Sequence, residues 1–505
     1  MANPLYDGLF GKHANQATPF LHLPGGEVIT HDAFLRTAAR FAHVLTALGL
    51  EPGDRLAAQV EKSPQALALY AACAQAGVVF LPLNTAYTVE ELTYFIENSG
   101  AGVVVCDPRR ESGLRTVAER LGAQIQTLDA DGGGTLADRA AGMPEGFETV
   151  ARTADDLAAF LYTSGTTGRS KGAMLTQANL LSNAETLARV WRFTADDVLL
   201  HALPIFHTHG LFVATNVTLV AGGAMIFLPK FDLDTILAEL PRATAMMGVP
   251  TFYTRLLGDD RFTRELVSHV RLFISGSAPL LEETHRAFEQ RTGHRILERY
   301  GMTETNMNTS NPYDGERRAG TVGFPLPGVE LKITDPETGK TLPDGEVGQI
   351  EVRGPNVFKG YWQMPEKTAA ELREDGFFIT GDLGKIDDDG YVHIVGRNKD
   401  LIISGGYNIY PKEIELVLDE QPGVKESAVI GVPHADFGET VLGLIVPEEG
   451  AAPDLDAIMK AAGASLARFK HPRKLILLDS LPRNTMGKVQ KNVLRDAYKD
   501  ILQPA

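Results

Sequence analysis

Short apolar runs rich in β-branched residues alternate with longer stretches of helical periodicity between Arg55 and Ile274. The runs are Arg55–Val60, Val78–Leu81, Gly102–Cys106, Ala224–Leu228, Ala245–Val249 and Arg271–Ile274. Strands separated by helices are typical of parallel sheets built from βαβ units. We therefore predict an α/β fold, and we expect ligands to bind in the loops that follow the carboxyl ends of the strands.

The pattern changes twice towards the C-terminus. From Gly320 onwards, glycine and proline interrupt alternating segments such as "VGFPLPGVELKI", which predicts a small antiparallel β unit. After "GRNKD", at Gly396–Asp400, a hairpin-like segment precedes a helix whose first turn suits Pro411. We predict a large N-terminal domain over residues 1–396, which includes the parallel sheets and the small β unit. A hinge at 397–400 and a small α+β domain over 401–505 follow it.

Composition places the chain among globular proteins. Its 505 residues are 44% hydrophobic and 22% charged, close to the averages of soluble domains, which excludes disordered and fibrous classes. The length is compatible with about three domains. The formal net charge of −16 argues against a nucleic-acid or anionic-membrane surface, because such surfaces need a broad basic field. Any anionic ligand must therefore be met by a few well-placed cations.

The cysteines and the most apolar segment both indicate a buried core. Cys73 and Cys106 each lie in an apolar run, which favours two core thiols over a disulfide. Residues 66–83 are long and apolar enough to resemble a membrane span, but glutamine, glycine and proline interrupt them. They read better as a buried helix, a glycine stop and a strand. The first residues carry no secretory pattern, so we expect a cytoplasmic protein without membrane partners.

The segment "YTSGTTGRSKG", at Tyr162–Gly172, combines glycines, hydroxyls and two cations. Backbone N–H groups and hydroxyls in such a loop can surround a polyphosphate, while Arg169 and Lys171 offset its charge. The spacing differs from that of a Walker A motif. A flexible loop without a ligand is the alternative, and composition alone leaves both interpretations open.

Five motifs in order carry a family resemblance. They are "YTSGTTGRSKGAML", "SGSAPL", "ERYGMTET", "GDLGKIDDDGYVHIVGRNKDLIISGGYNIYPKEIE" and "LPRNTMGK". Together they resemble the core motifs of the acyl-adenylate-forming superfamily, which includes acyl-CoA and aryl-CoA synthetases, luciferases and the adenylation domains of peptide synthetases. The resemblance extends from about Glu27 to Leu494. It implies that a carboxylate attacks the α-phosphate of ATP with Mg²⁺ present, and that the thiol of coenzyme A then displaces AMP.

The resemblance assigns residues to the nucleotide. The implied ATP and AMP contacts are Thr163, Ser164, Gly165, Thr166, Thr167, Gly168, Lys171, Ser277, Ala278, Pro279, Glu298, Tyr300, Gly301, Met302, Thr303, Asp382 and Arg397. Within this set, Thr303 is expected at the α-phosphate and Asp382 at the ribose hydroxyls. Glu304 is expected to hold Mg²⁺, directly or through water. Judged from its local sequence alone, Asp382 would be a turn residue.

Further residues are implied for the two reaction steps. Lys488 matches the lysine that contacts both the attacking carboxylate and the α-phosphate, although an isolated lysine near the C-terminus would be interpreted as solvated. Thr303 and Glu304 complete the implied catalytic set. Lys399 matches the position about which a mobile C-terminal domain turns between the steps. The loop formed by Ser404, Gly405, Gly406 and Tyr407 would then face coenzyme A, with a simple hairpin turn as the alternative.

Arg299 departs from the general pattern of the superfamily, where a small residue is common at this position. It resembles instead the malonyl-CoA synthetase branch, in which this arginine holds the carboxylate of malonate that does not react. A buried guanidinium forms strong paired hydrogen bonds with a carboxylate. His207 and Ser277 are expected to help hold malonate, while His209 is interpreted as a packed residue. A structural salt bridge of Arg299 with Glu298 or Glu304 is the alternative.

The resemblance therefore implies ATP-dependent ligation of malonate to coenzyme A, with methylmalonate as a further substrate. Rival interpretations are a CoA ligase for a short monocarboxylic or aryl acid, an enzyme that loads a carrier protein, and a nucleotide-binding sensor. A sensor would not need Lys488. Besides small molecules, the partners implied by the superfamily are a protein lysine acetyltransferase and a deacetylase acting on Lys488, since acetylation removes its charge.

Overall fold

The computed structural model describes residues 2–163, 170–404, 407–434, 437–466, 468–484 and 487–502, without the side chains of residues 407, 408 and 438. The chain forms two compact units. The first contains Met1–Glu330 and Val352–Phe378, and the second contains Leu331–Glu351 and Ile379–Ala505. This division places the small antiparallel sheet with the C-terminal residues. The expected domain limits at 396 and 401, with a hinge between them, remain a prediction.

The first unit is built from alternating strands and helices. Its strands are β1 (Pro19–His22), β2 (Val28–Thr30), β3 (Arg55–Gln59), β4 (Val79–Pro82), β5 (Val103–Cys106), β6 (Gln124–Thr127), β7 (Leu157–Thr163), β8 (Lys171–Thr176), β9 (Val198–His201), β10 (Ala224–Phe227), β11 (Ala245–Gly248), β12 (Leu272–Ser275), β13 (Leu297–Met302), β14 (Asn306–Ser310) and β15 (Phe324–Pro325). Its helices are α1 (Pro4–Leu9), α2 (His31–Ala47), α3 (Pro64–Ala76), α4 (Val89–Ser99), α5 (Glu111–Leu121), α6 (Thr135–Ala140), α7 (Gln177–Val190), α8 (Asn216–Ala221), α9 (Leu233–Glu239), α10 (Pro250–Leu257), α11 (Arg264–Val267), α12 (Glu282–Thr292) and α13 (Pro365–Glu371).

Two sheets form in this unit. Among the described residues, one has six strands in the order β6-β5-β3-β4-β7-β8, and the other has nine in the order β15-β14-β13-β12-β11-β9-β10-β1-β2. The central strands of both sheets are parallel, and antiparallel pairs occur only towards the edges, such as β7 with β8 and β13 with β14. The predicted α/β fold with parallel sheets is confirmed.

Local sequence determines where helix α3 begins and ends. The Ser63 hydroxyl accepts a hydrogen bond from the N–H of Ala66 and caps the helix, and Gly77 ends it in the left-handed conformation with φ of 73°. All its residues from Ala66 to Ala76 are buried, so this apolar segment belongs to the core as predicted. In the described part of the chain, no helix is long and apolar enough to span a membrane. Cys73 and Cys106 are buried and free.

The second unit contains two sheets and three longer helices among its described residues. Its strands are β16 (Glu330–Thr334), β17 (Gly348–Arg353), β18 (Phe378–Ile386), β19 (Val392–Arg397), β20 (Ile402–Ser404), β21 (Tyr407–Ile409), β22 (Val424–His434), β23 (Gly438–Pro447) and β24 (Lys474–Leu477), and its helices are α14 (Pro411–Asp419), α15 (Leu455–Ser465) and α16 (Lys491–Tyr498). Strands β16 to β19 form one sheet, and β20 to β24 form the other. Strand β22 buries Val429 on one face of this second sheet and Ala428 and Ile430 on the other.

Candidate active site

The side chain of Arg299 is buried in the first unit. Arg299 lies on β13 and is only 4% exposed. A Cβ built on Gly276, directly after β12, would lie 2.4 Å from the Cζ and Nη1 atoms of Arg299 and 2.7 Å from its Nε. Since β12 and β13 are adjacent parallel strands, the guanidinium lies against the backbone of the loop that follows β12. Only glycine leaves room for it there.

Arg299 has no anionic partner among the described residues. Its Nε and Nη2 are buried, and neither donates a hydrogen bond to an acceptor in the described chain. Burial lowers the pKa of Arg299 to about 9, because loss of solvation disfavours the charged guanidinium. Glu298, the neighbouring carboxylate, instead lies 3.3 Å from His285 through its Oε1. The pocket therefore contains a buried cation without an anion among the described residues. No contact there supports the alternative of a structural salt bridge.

His207 presents a neutral ring beside this cation. Its Nδ1 accepts a hydrogen bond of 3.2 Å from the backbone N–H of His209. Burial, and then the charge of Arg299, lower the pKa of His207 to about 4. A neutral imidazole that accepts through Nδ1 must carry its proton on Nε2. His207 can therefore donate one hydrogen bond to an anion at neutral pH without adding a charge.

His209 also belongs to this pocket, which sequence reasoning did not predict. It begins a π-helical segment, His209–Thr215, and its Nδ1 lies 3.2 Å from the Oγ of Ser277. Its Nε2 is buried without a partner in the described chain. Ser277 has φ of 71°, an uncommon conformation for a residue other than glycine. Strained backbone and π-helical turns both concentrate at functional sites.

The expected phosphate loop is described only at its ends. Thr163 closes β7, and its Oγ1 is buried without a partner in the described residues. Ser164, Gly165, Thr166, Thr167 and Gly168 lie outside the described residues. At the other end, the Nζ of Lys171 lies 3.2 Å from Glu371 and 4.1 Å from the centre of the Tyr361 ring. Lys171 is therefore held at the start of β8 by a carboxylate and an aromatic face.

Tyr361 joins this lysine to the carboxylate expected at the metal. Its hydroxyl lies 2.6 Å from Glu371 Oε2 and 3.0 Å from Glu304 Oε1. Burial first, and then the charge of Glu304, raise the pKa of Tyr361, so the phenol keeps its proton. Sequence reasoning missed Tyr361 and Glu371, because this contact joins residues 57 positions apart and leaves no local pattern.

The turn between β13 and β14 carries the remaining predicted residues. Tyr300, Gly301 and Met302 complete β13, and Thr303 follows as a partly exposed turn residue. A Cβ on Gly301 would lie 1.9 Å from the carbonyl oxygen of Asn306, so the tight turn requires glycine. Ala278 is partly exposed and Pro279 exposed in the loop after β12.

Glu304 fits a divalent cation only in part. Its carboxylate is 5% exposed, and carboxylate oxygen is the ligand that Mg²⁺ prefers. In the described residues, no group of three or more histidine, cysteine, aspartate or glutamate side chains could hold a metal by itself. A cation at Glu304 would therefore need oxygens from phosphate and water.

The second unit contains a separate charged group. Asp382 on β18 and Arg397 on β19 are cross-strand neighbours, and Arg397 Nε donates to Asp382 Oδ1 at 2.6 Å. Asp382 is 4% exposed, and its backbone N–H donates to Thr380 Oγ1 at 3.1 Å. The antiparallel register therefore brings together two residues that the sequence had paired by resemblance alone.

Lys488 belongs to the same group. Its backbone N–H donates to Asn484 Oδ1 at 2.9 Å. The side chain is exposed, yet loss of solvation and then repulsion from Arg397 lower the pKa of Lys488 to about 8, against the attraction of Asp382. Burial likewise lowers the pKa of Lys399. Arg397, Lys399 and Lys488 thus lie close enough to Asp382 for their charges to interact, and Asp400 is a second carboxylate in the same group.

The expected CoA-side loop is described only in part. Ser404 pairs with the backbone of Tyr407 at the end of the β20–β21 hairpin. Gly405, Gly406 and the Tyr407 side chain lie outside the described residues.

Known proteins resemble this chain over most of its length. Residues 12–362 match the model of the AMP-binding enzyme family, and residues 413–488 match the AMP-binding enzyme C-terminal domain. The malonate–CoA ligase of Arabidopsis thaliana is 37% identical over 457 residues, 84% of this chain and 74% of the relative. A feruloyl-CoA synthase of Amycolatopsis sp is 37% identical over 478 residues, 94% of this chain and 95% of the relative.

The solved structures include a close match. The crystal structure of ATP-bound MatB from Rhodopseudomonas palustris is 61% identical, with a TM-score of 0.98 and 100% of both chains covered. The motifs, the two-unit α/β fold and these matches lead to one conclusion: the chain belongs to the AMP-binding enzyme family, within the acyl-adenylate-forming superfamily.

Proposed function

We propose that this protein ligates malonate to coenzyme A in two steps driven by ATP. A malonate carboxylate oxygen attacks the α-phosphorus, the bond to pyrophosphate breaks, and malonyl-adenylate forms. The sulfur of coenzyme A then attacks the acyl carbon, and AMP leaves with the bridging oxygen. The observation that carries this choice of acid is the buried guanidinium of Arg299, whose Nε and Nη2 have no acceptor among the described residues.

Two relatives of equal identity are named for different acids, and the residues around Arg299 support the choice of malonate. A malonate–CoA ligase and a feruloyl-CoA synthase are equally identical to this chain, at 37%. A neutral acyl or aryl tail would leave the Arg299 guanidinium buried without an anion, which is costly. The second carboxylate of malonate supplies the missing acceptors in a geometry that suits the guanidinium. The Nε2–H of His207 and the hydroxyl of Ser277 add neutral donors.

The phosphate-binding part of the proposal rests on the resemblance and on the contacts around Lys171. Lys171 and the loop from Thr163 to Gly168 bind the β- and γ-phosphates, and Thr303 contacts the α-phosphate. Glu304 would hold Mg²⁺, and the metal would offset the charge of the polyphosphate. Lys171 is already held beside Tyr361, so little of its conformational freedom remains to be lost on binding.

The residues of the second unit are proposed for the ribose and for the displacement itself. Asp382 accepts hydrogen bonds from the ribose hydroxyls, with Arg397 holding its carboxylate. Lys488 stabilises the negative charge that accumulates as the carboxylate attacks phosphorus. Lys399 is the pivot for a turn of the C-terminal domain, after which the loop at Ser404 faces coenzyme A. Acetylation of Lys488 by a protein acetyltransferase would stop the first step.

A substrate panel tests the proposed function. Pyrophosphate release is measured with malonate, methylmalonate, succinate, acetate, benzoate and ferulate. We expect malonate to have the highest kcat/KM, methylmalonate to be accepted, and acetate and benzoate to be rejected by about 10⁴-fold, as in other sites built around a polar partner. Turnover of acetate, benzoate or ferulate without turnover of malonate would overturn the proposal.

A matched pair of variants links the result to the pocket. Arg299→Leu should abolish the preference for malonate. Arg295→Leu, which removes an arginine paired with Glu289 at 2.7 Å, should leave the preference unchanged.

A further inference from the structure

Lys62 is a partly buried lysine that the proposed reaction does not use. It follows β3 in the six-stranded sheet, yet its Nζ binds the chain just after β9 in the nine-stranded sheet. The Nζ lies 2.9 Å from His201 Nδ1, 2.8 Å from the His201 carbonyl oxygen and 2.9 Å from the Leu203 carbonyl oxygen. One side chain therefore ties together the carboxyl ends of strands from both sheets of the first unit.

These three contacts define the protonation state of the lysine. An ammonium has three N–H donors and no acceptor, so three acceptors within 2.9 Å satisfy the charged form completely. The ring of Phe227 lies 4.3 Å from the Nζ and adds a cation–π contact. Burial opposes this charge, and Lys62 forms no ion pair among the described residues. Burying a cation without a carboxylate partner costs free energy, so a contribution to stability does not by itself explain this lysine.

The lysine also fixes the tautomer of His201. Because His201 Nδ1 accepts from Lys62, the neutral ring carries its proton on Nε2. That Nε2–H donates to the carbonyl oxygen of Gly210 at 2.9 Å. His201 is fully buried, and burial lowers its pKa well below the usual value, with the charge of Lys62 as the second cause. The neutral His201 ring therefore connects Lys62 to Gly210, because it accepts a hydrogen bond from the lysine and donates one to the glycine carbonyl oxygen.

Gly210 lies at the start of the segment that carries the pocket histidines. It is the second residue of the π-helical segment that begins at His209. A Cβ on Gly210 would lie 2.0 Å from the carbonyl oxygen of Pro204, so the chain folds back tightly on itself here. Any shift of Gly210 must therefore move His209, and with it the backbone N–H that binds His207 Nδ1.

We propose that Lys62 is a positioning residue for the acid pocket, which acts through His201 to hold the turn that carries His207 and His209 beside Arg299. This inference rests on the proposed function only for the identity of the acid. A lysine that merely stabilised the fold would affect every substrate equally. Loss of a positioning lysine changes the KM for the acid and leaves the KM for the nucleotide nearly unchanged.

The first test replaces Lys62 with methionine, which keeps most of the side-chain volume and removes the three donors. Lys62→Met should raise the KM for malonate about tenfold or more and change the KM for ATP by less than twofold. Lys12→Met is the control, because Lys12 also donates to a backbone carbonyl, that of Val220, but lies outside the pocket. An unchanged malonate KM, or equal increases for malonate and ATP, would overturn the inference.

The second test asks whether the hydrogen bond from His201 to Gly210 is needed when Lys62 is left in place. In His201→Gln the side-chain amide can still donate to Gly210, whereas His201→Leu cannot. We expect the glutamine variant to keep a malonate KM within about threefold of wild type and the leucine variant to resemble Lys62→Met. Equal KM values for malonate in the two His201 variants would contradict the link from Lys62 through His201 to Gly210.

The proposed function can fail independently of this inference. If the wild-type enzyme adenylates an acid other than malonate, the choice of malonate is wrong. The same variants measured with that acid still decide the role of Lys62.

Discussion

The guanidinium of Arg299 lies where the side chain of residue 276 would begin, because Gly276 has no Cβ to fill that space. A cation and a glycine thus form one feature of the pocket. The arginine supplies the donors, and the glycine allows the guanidinium to lie flat against the loop after β12. The specificity attributed to Arg299 therefore depends on a residue that has no functional group of its own.

Gly276→Ala should weaken the recognition of malonate. The new methyl group would displace the guanidinium, and a misplacement of about 1 Å can cost on the order of 10²-fold in rate. We expect kcat/KM for malonate to fall by roughly tenfold or more, with the KM for ATP unchanged. Steady-state pyrophosphate release measures both. Gly142→Ala is the control, since a Cβ there meets no atom within 4 Å, and unchanged malonate kinetics in Gly276→Ala would contradict the argument.

Arg299→Met should not destabilise the unliganded protein. Replacing a buried charge by an apolar side chain of similar length is often neutral or stabilising by about 1–4 kcal/mol, because the desolvation cost disappears. We expect an unfolding temperature equal to or above that of wild type in differential scanning fluorimetry. Malonate with a non-hydrolysable ATP analogue should raise the wild-type value more than that of the variant. A strongly destabilised variant would indicate a structural partner for Arg299.

The first half-reaction should lose activity above about pH 8. The role proposed for Lys488 needs its ammonium form, and the pKa of Lys488 is lowered to about 8, so that form decreases as the pH rises through this value. We expect kcat/KM for malonate-dependent ATP–pyrophosphate exchange to fall by up to about tenfold per pH unit above this point.

Two comparisons assign this pH dependence to Lys488. Thioester formation from supplied malonyl-adenylate should show no loss from this group. Lys488→Ala should abolish the exchange reaction and spare the second step, whereas Lys425→Ala, at an exposed lysine of the same unit, should change neither. Equal loss of both steps in Lys488→Ala would refute its role.

Tyr361→Phe should weaken the use of Mg²⁺. The hydroxyl lies between Glu304 and Glu371, and its loss leaves two carboxylates close together without the shared donor. We expect the Mg²⁺ concentration for half-maximal adenylation to rise several-fold, with a weaker Mg²⁺-dependent binding of ATP in calorimetry and an unchanged KM for malonate.

Tyr6→Phe is the matched control for this change. Tyr6 is buried in α1, away from these carboxylates, and its hydroxyl forms no hydrogen bond in the described residues. A Mg²⁺ dependence of Tyr361→Phe that matches wild type would show that the phenol does not position Glu304.

Local patterns made much of the first unit predictable. The predicted strand at Ala224–Leu228 is observed at Ala224–Phe227, because an apolar β-branched run between helices has few other solutions in a parallel sheet. Helix α7 begins at Gln177, and the Thr176 side chain caps it by accepting a hydrogen bond from the N–H of Asn179. The motifs predicted the chemistry in the same way, since a resemblance to a family is a property of the sequence.

The contacts that complete the site could not be predicted in this way. Arg299 was conspicuous in the sequence, but Gly276 became relevant only when β12 and β13 paired in register. His209, interpreted as packed, lies against Ser277, which is 68 positions away. No local pattern encodes such a distance, because it depends on how whole strands and loops pack.

By itself, the sequence determined the fold class, the adenylation chemistry and the unusual cation at Arg299, because each follows from local patterns or motifs that can be recognised without knowing how the segments pack. The tertiary structure alone decided what surrounds that cation. The glycine beside Arg299, the phenol between Glu304 and Glu371, and the 139-residue link from Lys62 to His201 all join segments that are separate in the sequence and meet only when the chain packs.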